Sequence, residues 1–190
     1  MVKHNDAEIT SSNKITVYLQ AGKNPGNEQP HEALVNLQDD DVSVQQFVRH
    51  WGALSTLPMV DANRLGWRDT LRRAWRGDAA ALKEIQVLTT QYMVGEFKFA
   101  HGRIELESNL LGAIFTLFLR DYSAGRAAIC ANPNCTQPFF LKHRASQKFC
   151  GSDACNTYAQ SQYALGYWNR DGKRKREEKR KKVQKGRKQK

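Results

Sequence analysis

Four cysteines carry the clearest chemistry in this chain of 190 residues. Cys130, Cys135, Cys150 and Cys155 follow the pattern Cys-x4-Cys-x14-Cys-x4-Cys, all within 26 residues. Thiolates suit the tetrahedral shell of a zinc ion. Two close pairs can each grip the ion from one turn, provided that the segment between them folds back. The residues there favour such a path. Ala131-Asn132-Pro133-Asn134 is turn chemistry, Pro138-Phe139-Phe140-Leu141 reads as a strand, and His143-Arg144-Ala145-Ser146 can reverse the chain before Lys148-Phe149 leads back to Cys150. Ser152 or Asp153 can cap a helix that carries Cys155 in or beside its first turn. A knuckle, a hairpin and a ligand-bearing helix start together describe a treble-clef zinc finger holding one structural Zn2+. Disulfides, free thiols and an iron–sulfur cluster are the alternatives, and His143 could replace one cysteine. Four thiolates leave no open position for water, which argues against catalysis by the metal.

The elements before the cysteines must position this module. Ile15 to Leu19 is β-prone, and Ala33 to Leu37 reads as a second short strand. Ser43 with Gln46 forms a capping-box pattern ahead of Val44, Phe47, Val48, Trp51 and Leu54, one apolar helical row that Pro58 would close. A helix is expected over 61–76 with Gly77 as its stop, and another from Asp78 to Tyr92 with Leu82, Ile85, Leu88, Thr89 and Tyr92 facing inward. Arg64, Arg68, Arg72 and Arg76 recur every four residues and are expected to form a solvated basic ridge with local pairing such as Asp69 to Arg73. Phe97, Phe99, Ile104 and Leu106 alternate around His101-Gly102 as a hairpin. The segment from Asn109 to Tyr122 is apolar nearly all round and is the expected central helix.

The fold class read from this pattern is α+β: a mainly helical N-terminal domain with short β-hairpins, a small treble-clef finger and a basic C-terminal tail. The boundaries are a flexible 1–13, a domain over 14–125, the finger over 126–168 and the tail over 169–190.

Charge is unevenly placed. The net formal charge is +11, from 30 Lys/Arg and 19 Asp/Glu. Residues 170–190 hold 13 of those cations and three of the acids, so the rest of the chain is nearly neutral. A concentrated cationic tail attracts polyanions, nucleic acid foremost. Lys142, His143, Arg144 and Lys148 in the finger, with Arg170, Lys173, Arg174, Lys175, Arg176, Lys179 and Arg180 in the tail, are the candidate nucleic-acid contacts. Arg126 adds to the basic residues near the cysteines, and these can equally screen the surplus negative charge of a four-thiolate site. Glu177 and Glu178 are spaced to pair with Arg180 to Lys182. Asp171-Gly172 is expected to break or bend the helix after the finger. Tyr163, Tyr167 and Trp168 are expected to pack on the N-terminal domain, or else to stack on bases beside Phe139.

The cysteine module resembles the CGNR zinc-finger family, usually joined to an N-terminal ABATE domain. The matching parts are Cys130/Cys135, Phe139-Phe140-Leu141, Lys142-His143-Arg144, and Phe149-Cys150 with Cys155. The upstream helices and hairpin are similar to the ABATE arrangement. The resemblance implies a bacterial transcription-regulator-like protein with a DNA-binding finger and a ligand-sensing N-terminal domain, hence a small-molecule effector. One departure is plain: Asn156-Thr157-Tyr158 stands where the family has Gly-Asn-Arg, so the zinc ligands carry over and that tripeptide's contacts do not.

Partners expected from the sequence are therefore nucleic acid, DNA before RNA, and no membrane, since the longest apolar run, Leu110 to Leu119, is about half of what a span needs. No secretory h-region precedes the first strand, which places the chain in the cytoplasm, associated with the nucleoid. An RNA- or ribosome-associated protein and a zinc-stapled protein-interaction module are the other readings. No paired carboxylates, Cys–His nucleophile pattern, phosphate loop or His-Glu-x-x-His motif is present, and His50 and His101 read as structural, so no enzyme is expected.

Overall fold

The computed structural model describes residues 3–4, 7–9, 15–18, 29–54, 63–92, 97–100 and 103–187, with side chains for 29–54, 63–91 and 108–182. Helix α5 (Leu110–Ser123) organises them. Leu111, Ile114, Phe115, Leu117 and Phe118 are all fully buried, as expected for a helix apolar nearly all round. Its cap is Asn109, whose side chain accepts the Gly112 N–H at 2.8 Å. Around α5 stand α1 (Pro30–Asn36), α2 (Asp41–Trp51), α3 (Arg64–Trp75) and α4 (Ala79–Tyr92).

A five-stranded antiparallel sheet has the order β1-β2-β3-β5-β4. Its strands are β1 (Lys3–His4), β2 (Ala7–Ile9), β3 (Ile15–Tyr18), β4 (Phe97–Ala100) and β5 (Arg103–Ser108). The expected hairpin is present, with Phe99 opposite Ile104, and β3 pairs along β5 from Ile15↔Ser108 to Tyr18↔Glu105.

The strand expected over Ala33 to Leu37 is instead the helix α1. Pro30 occupies its first turn with Glu32 beside it, both helix-start signals, and His31, Leu34 and Val35 bury one face at i, i+3 and i+4. The five apolar-leaning residues were too few to fix a period. Helix α2 begins earlier than the capping box implied. Asp40 is the N-cap, accepting the Ser43 N–H at 2.8 Å, and Ser43 is three residues inside. The helix ends at Trp51 before Gly52, whose φ of 86° an L side chain disfavours; Pro58 lies outside the described residues. The expected stop of α3 holds. Gly77 has φ 88°, its N–H donates to Ala74 O at 2.9 Å, and Asp78 N–H reaches Arg73 O at 3.1 Å, a Schellman closure. Asp78 then caps α4 through the N–H groups of Ala80 and Ala81.

The arginine ridge of α3 is solvated only at its end: Arg64 and Arg68 are buried, Arg72 is half-buried, and Arg76 is exposed. Arg64 is 8% exposed and Arg68 only 4%. The Arg68 guanidinium bonds Asp69, Asp39 and, at 3.2 Å, the carbonyl of Leu37. Arg72 donates to Val35 O at 2.8 Å and Leu37 O at 2.9 Å. These carbonyls close α1, where the helix has run out of backbone partners, so the two guanidiniums cap it from the neighbouring helix. Arg73 pairs with Asp78 at 3.0 Å rather than with Asp69. Four-residue spacing placed the arginines on one face; Asp69 of the same helix pairs with Arg68 and Arg72, and the other partners come from α1 and the loop after it. Arg68→Lys keeps the charge and loses the fork, so it is expected to cost about 1–2 kcal/mol. A denaturant midpoint equal to that of the unsubstituted chain would show that charge alone suffices.

Candidate metal centre

The cysteines sit on a second, smaller structure fused to this body. Strand β6 (Ala127–Ile129) pairs antiparallel with β7 (Phe139–Leu141), Ala128 opposite Phe140. Helix α6 (Asp153–Tyr167) begins between Cys150 and Cys155 and carries Cys155 in its first turn. Because strand side chains alternate, β7 faces two ways. Phe139 and Leu141 enter the core of the helical body, while Phe140 packs with Cys130 and Cys155. The hairpin is thus a wall shared by both cores. It is fastened by Asn36, whose side chain donates to Phe139 O at 2.7 Å and accepts from Phe139 N at 3.2 Å. Trp75 Nε1–H donates to Ala128 O at 2.9 Å. Arg76 lies 5.2 Å and Arg72 6.0 Å from the Phe139 ring centroid.

Beneath that wall lies a buried charge cluster. Asp121 of α5 is 1% exposed and His31 of α1 is wholly buried, with Nε2 and Oδ2 3.1 Å apart. Arg120 and Arg126 also reach the carboxylate, at 3.0 and 3.1 Å. Arg126 therefore serves this cluster, not the screening of thiolates. Burial pushes the Asp121 carboxyl up, but His31 and Arg120 outweigh it and hold it at about 2. Burial drives His31 below its ordinary value, so it is neutral at neutral pH.

All four Sγ atoms lie within 4.8 Å of one another. Cys130 and Cys155 stand 3.7 Å apart, as do Cys135 and Cys150. A tetrahedron of sulfurs about 2.3 Å from a zinc ion has edges of about 3.8 Å, while a disulfide requires about 2.05 Å. The cysteines are unpaired thiols in the spacing of a metal shell. The residues present therefore fit one tetrahedral ion, with all four positions filled by the chain.

Local bonds build that spacing. Cys130 N–H donates to Pro138 O at 2.7 Å, and Cys135 N–H to Asn132 O at 3.1 Å, closing the first knuckle. Gly151, φ 95°, turns the chain after Cys150, so that Cys155 arrives in the first turn of α6. Two donors point at sulfur, Cys150 N–H to Cys130 at 3.4 Å and Asn132 Nδ2–H to Cys155 at 3.2 Å, and the Ser152 hydroxyl hydrogen-bonds with the Cys150 thiol at 3.4 Å. Such bonds offset part of the negative charge that four thiolates carry. Asn132, 6% exposed, was read from sequence as turn chemistry alone; its role as a sulfur donor needed the fold. Without metal the cluster holds its protons unevenly. Hydrogen bonds from Ser152 and Asn132 draw Cys155 down to about 6, and burial raises Cys130 and Cys135. A metal must displace the protons of those two, so binding weakens as pH falls.

The candidate nucleic-acid residues fall into two groups. Lys142 is half-buried, its N–H bonded to Arg126 O at 2.8 Å, while His143, Arg144 and Lys148 are exposed on the turn after β7. Arg170, Lys173, Arg174, Lys175, Arg176, Lys179 and Arg180 are exposed on a continuous helical arm. Asp171-Gly172 does not end the helix. A π turn (Trp168–Gly172) carries α6 into α7 (Lys173–Arg187). Glu177 and Glu178 make no ion pair among the described residues, contrary to the expected pairing. Nor do the aromatics of α6 and the π turn pack on the helical body: Tyr163 is 64%, Tyr167 51% and Trp168 36% exposed, with Tyr163 edge-on to Phe149 beside the cysteines. Phe139 is core and has no free face for a base. His50 is an exposed edge partner of Trp51, and His101 lies outside the described residues.

No described helix is long and apolar enough to cross a membrane. An open cavity of about 870 Å³ lies between α1, α2 and the loop after Cys135, with Phe47 and Trp51 on its apolar side and Gln46, Arg49 and Gln137 at its rim. Comparison with family models, curated proteins and solved structures finds no match.

Proposed function

We propose that this chain is a nucleic-acid-binding protein built on a structural zinc finger of the treble-clef kind, most economically a DNA-binding regulator of the type to which the cysteine module is similar. The observation that carries the reading is the route of the chain after the fourth cysteine. Cys155 opens α6, and α6 passes without a break into α7, so the metal site anchors an exposed helical arm in which residues 170–182 hold nine Lys/Arg and three Asp/Glu. Zinc is the ion of choice because four thiolates at tetrahedral spacing suit it, and the filled shell gives it a structural role. Cys130, Cys135, Cys150 and Cys155 would hold it. The chemistry it supplies is cross-linking of the knuckle to the helix start.

The tripeptide Asn156-Thr157-Tyr158 takes no recognition role in this reading. Asn156 closes the turn through Gly151 O at 2.8 Å, and Tyr158 packs edge-on to Phe149. An effector of the helical body would occupy the cavity beside Trp51, where the rim touches the first knuckle at Gln137.

The test is binding of a duplex DNA at two salt concentrations by the full chain and by a chain lacking residues 170–190. Binding that weakens steeply with salt, and that is largely lost with the arm, is expected. Absence of binding, or binding indifferent to salt and to the deletion, sinks the proposal. A competing structured RNA separates the second reading. Tyr167 and Trp168, exposed beside cations, are what favour it, and a preference for RNA would replace DNA as the partner.

A further inference from the structure

Helix α7 is not evenly basic. At helical spacing Lys173, Arg176 and Arg180 form one row, and Lys175, Lys179 and Lys182 form the next. No acid falls in either row. Glu177 and Glu178 lie on the far side, flanking Arg174 and Lys181. Asp171 belongs with them, 3.9 Å from Arg174 and 3.3 Å from Arg170. One side thus offers six exposed cations, none in an ion pair among the described residues, and the other alternates in sign.

Two of the six are held in place. The Arg176 guanidinium lies 4.3 Å from the Trp168 ring centroid, and the Lys175 ammonium 5.7 Å from that of Tyr167. Trp168 in turn lies on Gly172, which is buried. A Cβ there would come within 2.8 Å of the indole, so a larger residue would have to push the ring off the π turn. The turn therefore fixes the rotational position of α7 relative to α6, and with it the direction in which the basic side leaves the finger.

We infer that this side of α7 is a pre-oriented face for the phosphate backbone of duplex DNA, gripping it independently of base sequence. The inference rests on the nucleic-acid reading above and adds to it a surface and a mode. Charge complementarity supports it. Residues 173–182, at about 1.5 Å of rise each, cover about 15 Å, along which a duplex presents about nine phosphates. An anionic bilayer suits the helix less well, because these ten residues include no apolar side chain to insert.

The experiment compares two charge-matched variants of the full chain on a mixed-sequence duplex over a range of salt. Lys175→Ala with Lys179→Ala, and Arg174→Ala with Lys181→Ala, each remove two cations from exposed positions of the same helix. The first pair is expected to lower the slope of log K against log salt by about two, and the second by less than about half a unit. Circular dichroism checks that helicity is equal. Equal losses from both pairs, or a larger loss from the second, overturn the face while leaving nucleic-acid binding standing. Failure of the unsubstituted chain to bind the duplex removes both. Tighter binding to phosphatidylserine vesicles than to the duplex at the same salt, with the same dependence on Lys175 and Lys179, overturns the partner.

Discussion

Cys155→Ser is expected to weaken binding of the proposed zinc ion at least about 100-fold and to loosen the β6–β7 loop that carries Cys130 and Cys135. A serine hydroxyl stays protonated at neutral pH and is a poor donor to zinc, so one corner of the tetrahedron is lost. Cys155 is 1% exposed and receives the Asn132 amide, so the change also leaves that amide facing a weaker acceptor. The consequence should spread beyond the site. Phe139 and Leu141 belong to the main core, and Trp75 donates across to Ala128. Stripping the metal with a chelator should therefore shift the near-ultraviolet signal of the tryptophans and lower the melting temperature of the whole chain. Metal analysis and thermal melts of the two proteins read both effects. Stoichiometric zinc retained by the Cys155→Ser chain, or a main transition indifferent to chelation, contradicts the shared wall between the two cores.

Asp121→Asn should cost about 3 kcal/mol, a fall in melting temperature of roughly 6–12 °C for a chain of this size. The carboxylate is the common partner of His31, Arg120 and Arg126, and an amide can neither balance their charge nor accept from all three. The pH dependence has a definite sign. The folded Asp121 carboxyl is held at about 2, below its ordinary 3.8, so its contribution is complete above about pH 4 and is lost as pH falls toward 2. His31 acts at higher pH. Its folded pKa lies below the ordinary 6.5, so the unfolded chain takes up the proton first and stability declines as pH drops below that value. The unsubstituted chain should thus lose stability in two stages on acidification, and its advantage over Asp121→Asn should narrow below about pH 4. Denaturant melts across pH 2–8 measure this; a constant gap over the whole range would show that the carboxylate is not ionised in the fold.

Much of the centre was legible because its determinants are local. The cysteine spacing, the Asn-Pro-Asn turn and the Gly151-Ser152-Asp153 helix start specify a knuckle and a ligand-bearing helix over a few residues each, and the four sulfurs converge as those residues imply. The central helix was legible for a similar reason. Asn109 caps it, and a surface apolar nearly all round from Leu110 to Leu119 has no stable place except a core. Misreadings fell where local signals were short or shared. Ala33 to Leu37 is too brief to distinguish a strand from one helical face, and Pro30 with the neighbouring acid decided it.

The remainder depended on partners distant in the chain. Sequence spacing put Arg64, Arg68, Arg72 and Arg76 on one side of α3. That Arg68 and Arg72 are drawn inward follows from the carbonyl ends of α1 needing donors about 35 residues away, as Arg72 shows with Leu37. The charge cluster at Asp121 had no local signal in the sequence, and it exists because α1 and the residue before β6 bring His31 and Arg126 to it. The basic tail was visible as a count of charges. Its two sides became distinct once α6 continued through the π turn into α7, because a helix converts sequence spacing into direction while a coil does not. The four cysteines belong to both accounts: their spacing named the chemistry, and β7, packed on both faces, joined that chemistry to the core of the whole chain.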